Sequence, residues 1–170
     1  MLENKKIVIT GIANKFSIAN GIAKAMAKNG AELAFLYQNE RLLKRIKPIA
    51  EELGVRTLVE CDVSSDDSID KAFAEIKTKC GKVDGLVHSI GFAPTDQLEG
   101  DFTEVTTREG FKIAHDISSY SFTALAKAAL PMLSENAALL TLTYLGSIQS
   151  LPNYNVMVLQ KLALRLIQDF

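Results

Sequence analysis

Short, continuous apolar runs alternate along this chain with stretches of helical periodicity, and this alternation restricts it to a few folds. The runs predict strands at 7–10, 31–37, 57–59, 85–89 and 137–144. Because they are apolar throughout rather than at every second residue, they are typical of a parallel sheet covered by helices on both faces. We therefore predict an α/β fold with a doubly wound, Rossmann-like parallel sheet.

Apolar residues at helical spacing predict a helix after each of the first three strands. Pro48 lies inside the second of these helices and should kink or interrupt it. Ser64 begins a Ser-x-x-Asp pattern, which predicts a capping box for the third helix. A longer helix is predicted from about residue 108 to residue 130, where Pro131 ends it.

The predicted strands are too few for a complete dinucleotide-binding sheet. Five are predicted in the 170 residues, whereas the dinucleotide-binding version of this fold has at least about six. We therefore expect residues 1–170 to form a single dinucleotide-binding domain that is incomplete at its C-terminal end.

Charge and composition argue against several classes of function. A net charge of -1 gives no electrostatic reason to expect a nucleic acid or a membrane surface as partner. No segment is long and apolar enough to span a bilayer or to act as a signal peptide. Cys61 and Cys80 lack metal-ligand spacing, so we expect no metal site and a cytoplasmic location.

The first predicted strand leads into a loop that could hold a pyrophosphate. Gly11 and Gly21 bracket this loop, and Ser17 is a good N-cap residue for the helix that follows. Backbone N–H groups at such a helix start favour an anion. The spacing is not G-x-G-x-x-G, so an ordinary strand-to-helix turn is an equally open interpretation.

Two polar residues at the ends of the next strands could contact adenosine. Gln38 stands where NAD enzymes usually place an acid for the ribose hydroxyls. Asp62 could accept from the adenine amino group or serve only as a turn residue. Arg41 and Lys44 follow Gln38 closely, so NADPH with its 2′-phosphate stays open beside NADH.

The fourth strand ends in the segment "HSIGFAP". Gly91 there permits a ligand to approach the backbone closely, at the edge of the sheet where such folds bind nucleotides. We expect His88 to be a core histidine. His115 and Asp116 are adjacent in a predicted helix and point in different directions, so they predict no charge relay.

Tyr154 and Lys161 lie seven residues apart, which is two turns of a helix, so both can face one groove. A lysine near a tyrosine should lower the pKa of the phenol. A phenol so placed could donate a hydrogen bond to a developing oxyanion. The alternative is two unrelated residues on an amphipathic helix.

Several blocks of this sequence, in order, resemble the bacterial NADH-dependent enoyl-[acyl-carrier-protein] reductases, a divergent branch of the short-chain dehydrogenase/reductase superfamily. The blocks are "SIANGIA", "LAFLYQNE", "CDV", "HSIGFAP", "REGFKIAHDISSYSF", "LLTLTYLGS" and "PNYNVM". The Tyr-x6-Lys spacing is typical of this family, whereas ordinary short-chain dehydrogenases have Tyr-x3-Lys.

The resemblance implies a reaction of fatty-acid synthesis, in which hydride passes from NADH to the β-carbon of a trans-2-enoyl thioester. By motif position, Tyr154 would hydrogen-bond the thioester oxygen, Tyr144 would line the acyl pocket and Lys161 would hold the nicotinamide ribose. The resemblance also implies an enoyl-acyl carrier protein as substrate and a homotetramer. The implied cofactor residues are Gly11, Ser17 and Ile18 at the pyrophosphate, Gln38, Asp62 and Val63 at adenosine, Ser89, Ile90 and Gly91 along the cofactor, and Phe92 and Ala93 beside the nicotinamide and substrate.

The resemblance weakens after Met157, where the family continues with small residues on an interface helix and this chain reads "VLQKLALRLIQDF". Loss of one base after that codon would produce this tail and still encode lysine at 161. We expect Val158 and Gln160 to clash where backbones approach closely, and the last strands and substrate-closing helices to be missing. The 170-residue chain should then be poorly stable and weakly active or inactive. The alternative function is that of an inactive, frameshifted product that at most binds nucleotide or intact subunits.

Overall fold

The computed structural model describes residues 1–167; residues 168–170, the end of the altered tail, lie outside the described part. Five strands form one sheet in the order β3-β2-β1-β4-β5. The pairs β1–β2, β1–β4 and β2–β3 are parallel, which confirms the predicted Rossmann-like α/β fold. The strands are β1 (Lys6–Ile9), β2 (Glu32–Tyr37), β3 (Thr57–Glu60), β4 (Val83–His88) and β5 (Leu133–Thr141).

Seven α-helices occur in the described residues: α1 (Ile18–Lys28), α2 (Glu40–Glu52), α3 (Asp66–Cys80), α4 (Phe102–Val105), α5 (Arg108–His115), α6 (Ser121–Ala129) and α7 (Val156–Ile167). A π-helical turn over Asp116–Tyr120 joins α5 to α6, so the predicted long helix exists as a nearly continuous helical run. Short 3₁₀ turns cover Thr95–Gln97, Leu130–Met132 and Leu145–Ser147. No helix in the described part of the chain is both long enough and apolar enough to cross a membrane.

The chain divides into two compact units. The first comprises Met1–Ser89 and Ala124–Leu140, and the second comprises Ile90–Thr123 and the chain from Thr141 onward. The organisation of residues 1–170 as a single dinucleotide-binding domain stays a prediction. The two units are described separately below.

An apolar core built on the central strands holds the first unit together. Ile9 on β1, Phe35 on β2 and Ile46 on α2 are fully buried in it. Each such side chain contributes roughly 1.5–3 kcal/mol through removal of its surface from water. The apolar runs of β1, β2 and β4 therefore correspond to strands buried on both faces, whereas β5 is largely exposed.

Asp84, near the start of β4, ties together the beginnings of two other strands of the first unit. Its carboxylate accepts hydrogen bonds from the Lys6 backbone N–H at 3.0 Å, the Lys5 ammonium at 3.0 Å and the Ser134 hydroxyl at 2.8 Å. The Lys6 N–H and then the Lys5 side chain favour the charged form most, and they lower the pKa of Asp84 to about 2.

Two local predictions differ from the structure. Pro48 does not interrupt α2, because Ile46, Ile49 and Ala50 are buried around it and a single missing N–H is tolerated there. The N-cap of α3 is Ser65, whose hydroxyl accepts from the Ser68 N–H. Ser64 cannot fill that position because its N–H and hydroxyl both bind the Asp62 carboxylate.

The limits of the fifth strand also differ from the prediction. β5 begins at Leu133 and ends at Thr141, whereas the apolar run suggested 137–144. Tyr144 therefore lies beyond the strand, where it precedes the 3₁₀ turn Leu145–Ser147. Leu145 in this turn is about half exposed, so the apolar character past Thr141 does not mark a buried strand.

Candidate active site

The carboxyl ends of β1 and β4 approach each other closely in the first unit. The strand order reverses between these two neighbours, and this switch point is where such sheets bind ligands. Gly11 directly follows β1 with a left-handed φ of 83°. A Cβ atom at Gly11 would collide with the backbone carbonyl group of Ser89. Only glycine fits here, because the backbone after β1 passes directly against the backbone after β4.

The loop between β1 and α1 is closed by its own side chains. The Ser17 hydroxyl accepts from the Ala13 N–H at 3.2 Å and the Asn14 N–H at 3.3 Å. The Asn20 amide donates to the Lys15 carbonyl at 2.8 Å. Ser17 is the N-cap residue by position, as predicted, but its side chain makes no cap hydrogen bond to α1. The hydroxyl instead shapes the loop that leads into the helix.

The two predicted adenosine residues lie together in the first unit. The Gln38 side-chain amide donates to the Asp62 carboxylate at 3.5 Å. Asp62 also binds both donors of Ser64, with which it forms a local turn. Val63, between them in sequence, is partly buried. Asp62 is therefore a turn residue, which is one of its two predicted roles. The carboxylate oxygen that does not bind Ser64 faces Gln38.

Two tyrosines pack against each other in the second unit. The ring centroids of Tyr144 and Tyr154 lie 5.0 Å apart, with the rings tilted by 53°. A Cβ atom at Gly146 would lie 2.9 Å from Cδ1 of Tyr154, so this glycine leaves the space that the ring occupies. The Tyr154 ring is thereby placed between a second ring and bare backbone.

The pKa of Tyr154 differs from the prediction. Burial, and then the nearby Tyr144, raise the pKa of this phenol, whereas we expected a lysine to lower it. Tyr154 precedes α7 rather than lying on it, so the helical spacing argument does not place it beside Lys161. A phenol with a raised pKa stays protonated at neutral pH and can donate a hydrogen bond.

Lys161 lies buried on α7, with 8% of its surface exposed. Its ammonium donates to the Leu142 carbonyl at 3.0 Å, and burial lowers its pKa. A Cβ atom at Gly91 would lie 3.6 Å from this ammonium and 3.4 Å from Cε of Met157. The segment after β4 and the lysine of α7 therefore meet within the second unit.

Ser118 holds the segment that contains Ile90, Gly91, Phe92 and Ala93. Its hydroxyl accepts from the Phe92 N–H and donates to the Phe92 carbonyl, both at 2.8 Å. Ser118 is fully buried in the π-helical turn, a feature that often marks functional sites. The sequence did not single it out, because one serine in "DISSYS" looks like its neighbours.

Both histidines lie where the sequence placed them. His88 is fully buried at the end of β4 and has an interaction partner, as expected of a core histidine. The His115 ring stacks on Phe111 with centroids 4.1 Å apart, and its Nδ1 contacts the Phe111 carbonyl. The contacts of His88 and His115 therefore stabilise the fold.

A parallel sheet whose strand order reverses between β1 and β4 defines a Rossmann-like α/β protein. The sequence model of the family described as enoyl-(acyl carrier protein) reductase matches residues 11–168. The chain belongs to this family. We expected the resemblance to weaken after Met157, and the family match nevertheless extends past that residue to 168. The tail keeps an amphipathic helix with lysine at 161.

Individual relatives agree with this assignment. The chain is 58% identical over 163 residues to the enoyl-[acyl-carrier-protein] reductase [NADH] FabI of Escherichia coli (strain K12), covering 96% of this chain and 62% of the relative. It is 50% identical to the FabI of Neisseria meningitidis serogroup B, covering 96% and 63%. The chain thus spans about 62% of the length of the first of these relatives.

Solved structures show the same fold. The enoyl-[acyl-carrier-protein] reductase (NADH) of Aquifex aeolicus VF5 superposes with a TM-score of 0.94 at 44% identity, covering 97% of this chain and 66% of that one. The reductase of Anaplasma phagocytophilum, crystallised in complex with NAD, gives a TM-score of 0.94 at 41% identity, covering 98% and 63%.

Proposed function

We propose that this chain carries the reaction centre of an NADH-dependent enoyl-[acyl-carrier-protein] reductase. The observation that carries the proposal is the arrangement in the second unit. A half-buried, protonated Tyr154 packs on Tyr144, and a buried Lys161 lies beside Gly91. The names of the relatives supply the substrate class, an enoyl thioester on an acyl carrier protein.

In the proposed reaction, Tyr154 acts on the carbonyl end of the substrate. Hydride addition at the β-carbon moves the electron pair of the double bond toward the thioester carbonyl, and the resulting enolate takes a proton at its α-carbon. The Tyr154 hydroxyl donates a hydrogen bond to the oxygen on which charge develops. A donor aimed at that oxygen in a site that excludes water lowers the barrier by about 2.7–4 kcal/mol. Tyr144 offers an apolar ring for the start of the acyl chain.

Lys161 has the role of holding the nicotinamide ribose. An ammonium group has three donors, one of which binds the Leu142 carbonyl. The others can bind ribose hydroxyls. NADH, when bound, supplies the hydride. The bare backbone of Gly91 lets the cofactor approach, and Ile90, Phe92 and Ala93 flank that glycine.

The first unit has the groups for the adenosine and pyrophosphate parts of the cofactor. Gly11 lets the backbone after β1 pass against Ser89 at the switch point, where such sheets bind nucleotides. Ser17 and Ile18 at the start of α1 would meet the pyrophosphate. Ser89 would follow along the cofactor.

NADH fits the adenosine residues better than NADPH. The Asp62 carboxylate lies beside Gln38, where a 2′-phosphate would bring a second negative charge. Val63 would cover the adenine. NADPH would need Arg41 and Lys44 to neutralise its 2′-phosphate. If these two side chains do so, the preference for NADH is reversed.

A second candidate function is nucleotide binding without reduction. The observation that favours it is Gln160 on α7, which is fully buried while neither its Nε2 nor its Oε1 has a hydrogen-bond partner among the described residues. Such a group destabilises the helix that carries Lys161. A chain in which α7 opens would still keep the adenosine residues of its first unit.

Isotope transfer separates the two candidates. The purified 170-residue chain is incubated with deuterium-labelled NADH and a trans-2-enoyl thioester, and the product is analysed by mass spectrometry. Binding of NADH is followed separately by its fluorescence. Deuterium at the β-carbon supports reduction, and binding without transfer supports the second candidate. Failure to bind NADH at all would contradict both. Tyr120→Phe serves as the matched control for Tyr154→Phe, since Tyr120 is half exposed on the π-helical turn.

A further inference from the structure

We propose that Asn155 is a positioning residue for the Tyr154 phenol, an inference that rests on the function proposed above. The Asn155 side-chain amide donates to two backbone carbonyl groups, that of Leu98 at 3.0 Å and that of Gly100 at 3.2 Å. These acceptors are 57 and 55 residues away in sequence. The residue next to Tyr154 is therefore fixed to a distant loop by two hydrogen bonds of one amide nitrogen.

The turn that carries Tyr154 is held weakly on its N-terminal side. Asn153 and Asn155, on either side of the tyrosine, have left-handed φ values of 58° and 34°. Asparagine tolerates this region better than most residues, but single left-handed residues do not extend a helix. The Tyr154 N–H reaches the Leu151 carbonyl only at 3.4 Å, whereas toward α7 the Tyr154 carbonyl accepts from the Met157 N–H at 2.9 Å.

The loop that receives the Asn155 amide is itself anchored. It follows the 3₁₀ turn Thr95–Gln97, and Gln97 is buried with 2% of its surface exposed. The Gln97 Oε1 accepts from the N–H of Thr107 at 2.9 Å and from its hydroxyl at 3.2 Å. Thr107 is the N-cap residue of α5. Asn155 thus connects the turn of Tyr154 to a segment fixed at the start of a helix.

The other sides of the Tyr154 ring are already bounded. Tyr144 packs on it at 5.0 Å between centroids, and Gly146 leaves no room for a side chain beneath it. The remaining freedom of the phenol is movement of its own backbone, which the Asn155 contacts restrict. A displacement of about 1 Å at a reacting group costs up to about 100-fold in rate. Asn155 acts through Tyr154 and need not contact the substrate.

Substitution by glycine isolates the side-chain contribution. Asn155→Gly keeps the left-handed backbone accessible and removes only the amide, whereas Asn155→Ala adds backbone strain. Asn153→Gly, at an exposed left-handed position in the same turn, is the matched control. We expect kcat for enoyl thioester reduction to fall about 10- to 100-fold in Asn155→Gly. The KM for NADH should stay unchanged, and Asn153→Gly should behave like the unsubstituted chain.

A second measurement does not depend on activity. The chain is labelled on its tyrosine rings, the Tyr154 signal is assigned with Tyr154→Phe, and its titration is followed by NMR. Because burial raises the pKa of Tyr154, release of the turn in Asn155→Gly should lower that pKa toward the ordinary value. Hydrogen exchange in the segment 98–105 should also become faster.

The two measurements keep the inference and the proposed function distinguishable. If the unsubstituted chain transfers no hydride, the proposed function fails, and the titration and exchange results still decide the role of Asn155. If Asn155→Gly leaves the Tyr154 titration and the exchange of 98–105 unchanged, the inference is overturned whatever the activity. A rise in the KM for NADH equal to the loss in kcat would also overturn it, because that pattern belongs to general loosening of the site.

Discussion

The two compact units of this chain are stabilised by different kinds of interaction. In the first, strands and helices bury a continuous apolar core around Ile9, Phe35 and Ile46. In the second, the buried Ser118 and the partly buried Asn155 bind backbone groups far away in sequence. An apolar core tolerates many residues of similar size, whereas a buried polar contact requires a partner. The first unit should therefore respond to substitution mainly in stability, and the second mainly in function.

Tyr154→Phe should have the largest effect and test the chemical role of the second unit. Loss of the hydroxyl should lower the rate of deuterium transfer to an enoyl thioester by about 100- to 1,000-fold, since one oxyanion donor contributes about that much. The affinity for NADH should not change. Single-turnover mass spectrometry and a fluorescence titration check the two statements, with Tyr120→Phe as the control. Equal rates in the two variants would remove Tyr154 from the proposed mechanism.

Gly11→Ala should have the largest effect on stability and test the close approach of β1 and β4 in the first unit. Alanine would be strained by about 1–2 kcal/mol in the left-handed backbone, and overpacking against Ser89 adds about 1–3 kcal/mol. We expect the free energy of unfolding in urea to fall by about 3 kcal/mol or more. Gly21→Ala is the control, because no atom lies within 4 Å of the added Cβ. That exposed position on α1 should gain about 0.5–1 kcal/mol.

Gln160→Met should stabilise the chain and sharpen the contrast between the units. It replaces a buried amide that lacks partners among the described residues by an apolar side chain of similar length. We expect the free energy of unfolding to rise by about 1–3 kcal/mol. The exposed Gln149→Met should leave stability nearly unchanged. A loss of stability in Gln160→Met would show that the amide has a partner after all, and would weaken the second candidate function.

Asp84 should produce a smaller effect that depends on pH. Because its pKa is lowered to about 2 in the folded chain, its contribution is fully present above about pH 4, the ordinary carboxyl range. It is lost as the pH falls from there through about 2. Asp84→Asn should be less stable at neutral pH by about 1–2 kcal/mol and should lack this part of the pH dependence. Urea unfolding between neutral and acidic pH measures both, with the exposed Asp70→Asn as the control.

Much of the fold could be predicted because buried strands and helices place apolar residues at regular spacings in the sequence. The five strands and the long helical run from 108 follow from apolar runs and helical spacing. The end of β5 did not follow, because apolar residues continue into the next turn although they are exposed there and do not belong to the sheet. Pro48 misled for a related reason: packing around α2 outweighs the cost of one missing N–H.

The site could be predicted only where a residue type is itself unusual. Gly11, Tyr154 and Lys161 stood out by position and chemistry. Ser118 and Asn155 did not, because each binds backbone groups 26 or more residues away. Every residue has the same backbone groups, so the sequence does not show which of them a side chain binds. The raised pKa of Tyr154 was missed for the same reason: it depends on burial and on Tyr144, not on the lysine that the spacing suggested.

Single-turnover transfer of deuterium from labelled NADH to a trans-2-enoyl thioester, compared between the unsubstituted chain and Tyr154→Phe, tests the proposed function most directly. We predict slow but measurable transfer to the β-carbon by the unsubstituted chain, and a loss of about 100-fold or more in Tyr154→Phe with NADH binding retained. Transfer at the same rate by both chains, or binding of NADH with no transfer by either, would contradict the assignment of the reaction centre to Tyr154 and Lys161.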